Sequence, residues 1–217
     1  MTIRALIFDF DGLLVDTESA VLLGWQEIFR ELGAELPLET WHSVIGTQHT
    51  STTMLALLAE LSPLEPEALR QKFRARVLEL IALEGPRDGV SDYLGAAADD
   101  GLKLAVASSS GAEWVTAQLA RAGLAGHFDA VLTGDLHAPK PRPDLYLAAL
   151  AALRVEPGDT VAFEDSPHGV TAAKAAGIRC VAVPGPVTAG LSFDHADLVM
   201  TSFTDKPLRT LLAHLQS

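Results

Sequence analysis

The chain has 217 residues, 48% of them hydrophobic, enough to bury a sizeable core as one large or two modest domains. Its formal net charge of -12 argues against general nucleic-acid binding, which needs basic patches to displace phosphate counterions. No stretch approaches the roughly 18 uninterrupted apolar residues of a membrane span, and the amino terminus lacks the basic and apolar regions of a signal peptide, so a cytoplasmic protein without membrane partners is expected.

The first apolar run, Ile3-Arg4-Ala5-Leu6-Ile7-Phe8, reads as a buried strand, and Asp9 and Asp11 follow it around Phe10 before a turn on Gly12. Two carboxylates at the end of a strand suit magnesium and phosphoryl chemistry. A plain surface turn is the competing reading, since Asp and Gly are common turn residues. From Thr17 to about Leu83 the pattern is helical: Val21, Trp25, Ile28, Phe29 and Leu32 share one face, and Gly33 ends that helix. Leu69, Phe73, Val77, Leu80 and Ile81 form a later stripe, with Pro66 near its start. Trp25 and Trp41 read as core residues of this block.

Strand signals resume at Leu102–Ala107 and recur at Ala130–Leu132, Thr160–Phe163, Ile178–Val183 and Leu198–Met200, generally with helical stretches between them. That alternation predicts an α/β fold with a parallel sheet covered by helices on both faces. The helical block then looks like an insertion, giving a core of residues 1–15 and 86–217 and a helical domain of residues 16–85. Cys180, the single cysteine, lies in a strand-like run and reads as a buried thiol, which excludes a disulfide framework and a multi-cysteine zinc site.

Ligands of an open parallel sheet bind outside the carboxyl ends of its strands, and several chemical groups fall there. Ser108-Ser109-Ser110-Gly111 precedes a helix, where hydroxyls and amide N–H groups can cradle a phosphate, or simply cap the helix. Lys140 stands among Pro139, Pro141 and Pro143, stiffened so that its ammonium can meet a phosphoryl oxygen; an ordinary exposed lysine is the alternative. Glu164 and Asp165 make an oxygen-donor pair for Mg²⁺, or a solvated charge pair with Ser166 capping the next helix.

In this order, D-x-D-G-L-L-V-D-T-E, S-S-S, K-P-R-P-D and E-D-S resemble the haloacid dehalogenase superfamily, in its phosphatase and beta-phosphoglucomutase-like branch with a helical cap. The resemblance implies a Rossmann-like core and a Mg²⁺-dependent enzyme that hydrolyses the phosphate monoester of a small metabolite, a sugar or polyol phosphate. Asp9 is the implied nucleophile that becomes an aspartyl phosphate, and Asp11 the general acid and base. Mg²⁺ is implied at Asp9, the carbonyl of Asp11, Glu164 and Asp165; Ser108, Ser109 and Lys140 would bind the phosphoryl group. Gly46-Thr47-Gln48-His49 resembles the cap's substrate-reading loop, though these residues also suit capping of a helix that begins around Thr50.

The alternative within the branch is a sugar phosphomutase. Against it, Val21 stands where beta-phosphoglucomutases carry a histidine, and the reading loop has no Lys or Arg. Arg70, Lys72, Arg74 and Arg76 on a later helix leave it open as possible contacts to a distal phosphate, or as a solvated helix face. Halide removal does not fit an aspartate at position 11, and a receiver-type phosphoacceptor does not fit the motif order. His168 is placed near the site without a duty.

Overall fold

The computed structural model describes residues 2–45 and 50–216. Six strands among the described residues form one sheet: β1 (Ala5–Phe8), β2 (Lys103–Ala107), β3 (Ala130–Leu132), β4 (Thr160–Glu164), β5 (Arg179–Ala182) and β6 (Leu198–Val199). Their order is β3-β2-β1-β4-β5-β6, and all neighbours are parallel. From β1 the chain builds outward through β2 and β3, then returns to the other side of β1 for the rest. This reversal opens a crevice at the carboxyl end of β1.

β1 is apolar at every position because both faces of the sheet are covered. Leu6 and Phe8 face helices α5 (Val90–Asp99), α6 (Ala112–Arg121) and α9 (Leu208–Gln216), through Leu94, Val115 and Leu211. Ala5 and Ile7 face α7 (Asp144–Leu153) and α8 (Pro167–Ala175), through Leu145, Ala149 and Val170. Cys180 is buried on that second face, and burial pushes its thiol well above its ordinary pKa, which disfavours the reactive thiolate.

The strand expected from Ile3 begins at Ala5. Arg4 is already paired, but outside the ladder: its N–H reaches Asp159 O at 2.8 Å, and its carbonyl accepts from Lys103 at 3.0 Å. At the other end of the site, β4 runs one residue longer than expected because Glu164 still pairs with Ala182.

Between β1 and α5 come α1 (Thr17–Glu31), α2 (Leu38–Val44), α3 (Thr50–Leu58) and α4 (Pro66–Ile81). Asp16 caps α1 by accepting from Ser19 N–H at 3.1 Å, and Gly33 ends it with φ +76°, a conformation strained for any residue with a Cβ. The four helices share a separate apolar cluster that contains Trp25, Trp41, Met54 and Phe73, with Trp25 stacked on Phe73 at a centroid distance of 3.8 Å. No described helix is long and apolar enough to cross a membrane.

Two chain passages join these helices to the sheet. They run side by side, with Val15 bridging Pro86 and Arg87 N–H reaching Leu14 O at 2.9 Å. The half-buried Arg87 guanidinium donates to the carbonyls of Gly12 (2.6 Å), Val183 (3.0 Å) and Pro184 (2.9 Å).

Candidate active site

The carboxyl end of β1 delivers Asp9, whose N–H still pairs with Phe163 O at 3.0 Å. Gly12 then turns the chain with φ +78°, and a Cβ there would sit 2.2 Å from Asp165 Oδ2. Only glycine lets the turn close over the second acidic loop. Asp9, Glu164 and Asp165 thus come together, each offering a carboxylate oxygen within 4.8 Å of the others.

Lys140 lies in the middle of this cluster and is only 7% exposed, which rules out the ordinary surface lysine. Its ammonium bonds Asp9 Oδ1 and, at 2.5 Å, Glu164 Oε1. Burial alone would lower its pKa; the charges of Asp9 and Glu164 outweigh that and hold it above the ordinary lysine value. Glu164 is anchored further by the Tyr146 hydroxyl at 2.5 Å and by Ser166 at 3.3 Å. Ser166 also caps α8, accepting from Gly169 N–H at 3.1 Å as expected, but Glu164 and Asp165 are buried and are not the solvated charge pair of that alternative.

Asp165 is buried, and among the described residues no hydrogen bond reaches its carboxylate. Desolvation pushes its pKa well up, and Asp9 and Glu164 add to the effect. Asp9 is raised to about 8, first by burial and then by Glu164 and Asp11, with Lys140 opposing. An orphaned buried carboxylate beside two more, with one ammonium among them, is a surplus of negative charge held in a fixed place. Hard oxygen donors in that arrangement fit a divalent cation such as Mg²⁺.

Asp11 turns its carboxylate toward the serine loop. Oδ2 accepts from Ser110 Oγ (2.6 Å) and Ser108 Oγ (3.3 Å), and Oδ1 from Thr17 Oγ1 (3.0 Å) and the Trp114 indole N–H (2.9 Å). Ser109 Oγ accepts the N–H of Lys140 at 3.1 Å, tying the serine loop to the lysine loop. The serines do not cap α6; its Ala112 N–H goes to Asp135 at 2.5 Å. A cavity of about 230 Å³ opens over Asp9, Asp11, Ser108, Ser109, Lys140 and Asp165, with Val21, Ile45, Thr50, Ser51 and Phe73 of the helical block on its other wall.

Gly46, Thr47, Gln48 and His49 lie outside the described residues. His168 sits in the first turn of α8 and does not line the cavity. Of the basic residues on α4, Lys72 pairs with Glu31, Arg76 with Glu27 at 2.6 Å and Arg70 with Glu67 at 3.7 Å; Arg70 and Arg74 also line an adjoining cavity of about 520 Å³.

Sequence reading gave no part to Glu18, Trp114, Tyr146 or Arg87. Glu18 has the clearest signal, two residues past Asp16 in the D-T-E that closes the first motif; it lines the cavity, and burial, then Asp11 and Asp9, raise its pKa to about 8. A carboxyl raised in the fold stabilises the protein least when ionised, so stability contributed by Glu18 falls as pH climbs from about 4.5 through about 8. Glu18→Gln is therefore expected to leave the Tm of the metal-free protein little changed near about pH 5 and to raise it near about pH 9. Thermal melts in EDTA at the two pH values test this; an unchanged or lower Tm at the higher pH would contradict it.

The site and the sheet together are those of one family. The haloacid dehalogenase-like hydrolase model matches residues 6–183, and the chain belongs to that family. It is 44% identical over 217 residues to a Bacillus subtilis protein named "Putative phosphatase YhcW", covering 99% of each chain. It is 31% identical over 183 residues to the fructose-1-phosphate phosphatase YqaB of Escherichia coli, covering 81% of this chain and 95% of that one. Among solved structures, CbbY from Rhodobacter sphaeroides in complex with phosphate superposes with a TM-score of 0.77 at 32% identity, covering 94% of this chain and 96% of that one.

Proposed function

We propose that the protein is a Mg²⁺-dependent phosphatase that hydrolyses phosphate monoesters of small sugar- or polyol-like metabolites through an aspartyl phosphate on Asp9. The observation that carries this reading is the buried triangle of Asp9, Glu164 and Asp165 pinned by Lys140, with no hydrogen bond to the Asp165 carboxylate among the described residues. Residues 16–85 act in it as a helical cap, since α1 to α4 have their own apolar cluster and supply one wall of the cavity.

Lys140 occupies Asp9 Oδ1, so the second oxygen, Oδ2, is the one available to attack phosphorus in line. The P–O bond to the alcohol breaks, and Asp11 gives its proton to the departing oxygen. Asp11 next takes a proton from water, whose oxygen attacks phosphorus and breaks the P–O bond to Asp9, restoring its carboxylate and releasing inorganic phosphate. Ser108, Ser109 and Lys140 hold the phosphoryl oxygens through both steps. Asp9, Asp165 and the Asp11 carbonyl are the groups that would hold the metal, with Glu164 offering only Oε2, which also accepts from Ser166 at 3.3 Å, because Lys140 and Tyr146 share Oε1. Bound there, Mg²⁺ offsets the repulsion between an anionic nucleophile and a phosphate dianion.

Substrate size follows from the cavity of about 230 Å³, which suits a small ester better than a macromolecule. Its wall mixes the hydroxyls of Thr50 and Ser51 and the Glu18 carboxyl with apolar Val21, Ile45 and Phe73, a lining suited to a neutral polyhydroxylated group. The sugar-phosphate substrate in the name of the Escherichia coli relative supports the same class. A phosphomutase is the second reading, favoured by Arg70 and Arg74 beside the adjoining cavity, where a distal phosphate would fit.

The test is turnover of p-nitrophenyl phosphate and a panel of sugar phosphates, including a sugar bisphosphate, with Mg²⁺ and with EDTA. Release of phosphate only with Mg²⁺ is expected, and transfer to a second sugar hydroxyl would instead favour the mutase. Asp11→Asn is expected to slow alkyl phosphates far more than aryl phosphates, whose leaving groups need little protonation. Equal losses on the two would remove the acid role.

A further inference from the structure

Asp11 is gripped by a residue from the far side of the sequence that the chemistry above leaves unused. Trp114, in the first turn of α6, sends its indole N–H to Asp11 Oδ1 at 2.9 Å across 103 positions. An indole N–H donates and never accepts. Thr17 Oγ1 lies on the same oxygen at 3.0 Å and itself accepts from Gly12 N–H at 3.1 Å, so its single proton is directed to Asp11. The partners of Oδ2 differ in kind: the hydroxyls of Ser108 and Ser110 can rotate to give or to accept.

The indole is held as firmly as its bond is directional. Its half-buried ring packs against the apolar cluster under α5, α6 and α9 and also against the cluster of the helical block. It stands between the cavity over Asp9 and the adjoining one beside Arg70 and Arg74, lining both. A donor locked by packing on two sides holds a carboxylate in one orientation, which is what an acid and base needs to meet a leaving oxygen repeatedly at the same angle.

We propose that Trp114 is a positioning residue for Asp11: its indole N–H commits Oδ1 as an acceptor and leaves Oδ2, on the serine side, as the oxygen that exchanges the proton. This rests on the acid and base role of Asp11.

Trp114→Phe keeps the aromatic packing and deletes the N–H. With Mg²⁺ present, the ratio of kcat on glycerol 2-phosphate to kcat on p-nitrophenyl phosphate is expected to fall about tenfold, the cost of a lost hydrogen bond to a charged group. A purely structural part for the ring would lower both rates alike and leave the ratio unchanged, which would overturn the proposal. Asp11→Asn measured in parallel separates the two ideas. If Asp11→Asn lowers the ratio and Trp114→Phe does not, the proposal for Trp114 fails alone; if Asp11→Asn leaves the ratio unchanged, the acid role itself fails.

A second readout needs no turnover. The Trp114 indole N–H resonance, identified by its loss in Trp114→Phe, is expected to shift in Asp11→Ala, while those of Trp25 and Trp41, which are buried without a hydrogen-bond partner among the described residues, stay in place. A stationary Trp114 signal would also overturn the proposal.

Discussion

Asp9→Asn is expected to reduce turnover by at least about 10⁴-fold, because an amide of nearly the same volume cannot attack phosphorus. The substitution also carries a stability signature that ordinary damage would not produce. Burial and neighbouring acids raise the Asp9 carboxyl to about 8 in the fold, so its ionised form opposes folding when no cation is present. Its contribution is therefore lost as pH rises from about 4 through about 8, and a neutral amide escapes that loss. Relative to the wild type, the metal-free variant should be more stable near about pH 8 than near about pH 5 while being inactive at every Mg²⁺ concentration. Residual hydrolysis near the original rate would refute Asp9 as the nucleophile.

Lys140→Met is expected to act in the opposite sense on stability. The ammonium is buried between Asp9 and Glu164, and its removal leaves two carboxylates facing each other without a counter-charge. Deleting one partner of a buried ion pair costs about 3–5 kcal/mol, and the loss should be largest in EDTA and smaller with Mg²⁺, which supplies part of the missing charge. Turnover should fall about 10²-fold to 10³-fold even with saturating Mg²⁺, as for other groups that stabilise charge in a transition state. Urea unfolding with and without the metal, alongside kcat, measures both effects. A variant as stable as the wild type in EDTA would mean that the ion pairs contribute nothing to the fold.

The architecture was legible because each strand is a short apolar run bounded by turn residues, and the loops at their carboxyl ends hold the polar residues. Asp9, Ser108, Lys140 and Asp165 could be read as one site since parallel strands place their carboxyl ends on the same edge. Strand ends were less legible: Arg4 hydrogen-bonds to both neighbouring segments yet lies outside the ladder, a distinction that hydrophobicity does not encode. The support of the site was hidden for a different reason. Tyr146 reads as one more apolar residue of α7, and only its buried hydroxyl's need for a partner, met by Glu164, reveals it. Trp114 reads as a residue on an amphipathic helix, and its bond to Asp11 depends on how α6 docks on the sheet.

Arg87 bears on how the helical block can move. Its guanidinium staples the second linker to the carbonyls of Gly12, Val183 and Pro184, and Gly89 is wedged so closely that a Cβ there would lie 2.9 Å from the carbonyl carbon of Phe203. Arg87 and Gly89 are thus both tied to the part of the chain that carries the sheet. Gly85, with nothing within 4 Å of where its Cβ would be, is the first unencumbered position upstream. On the reading of residues 16–85 as a cap, the fulcrum on this linker would fall at Gly85, upstream of the Val15–Pro86 bridge, and the frame that carries Asp9 and Asp165 would not move with it.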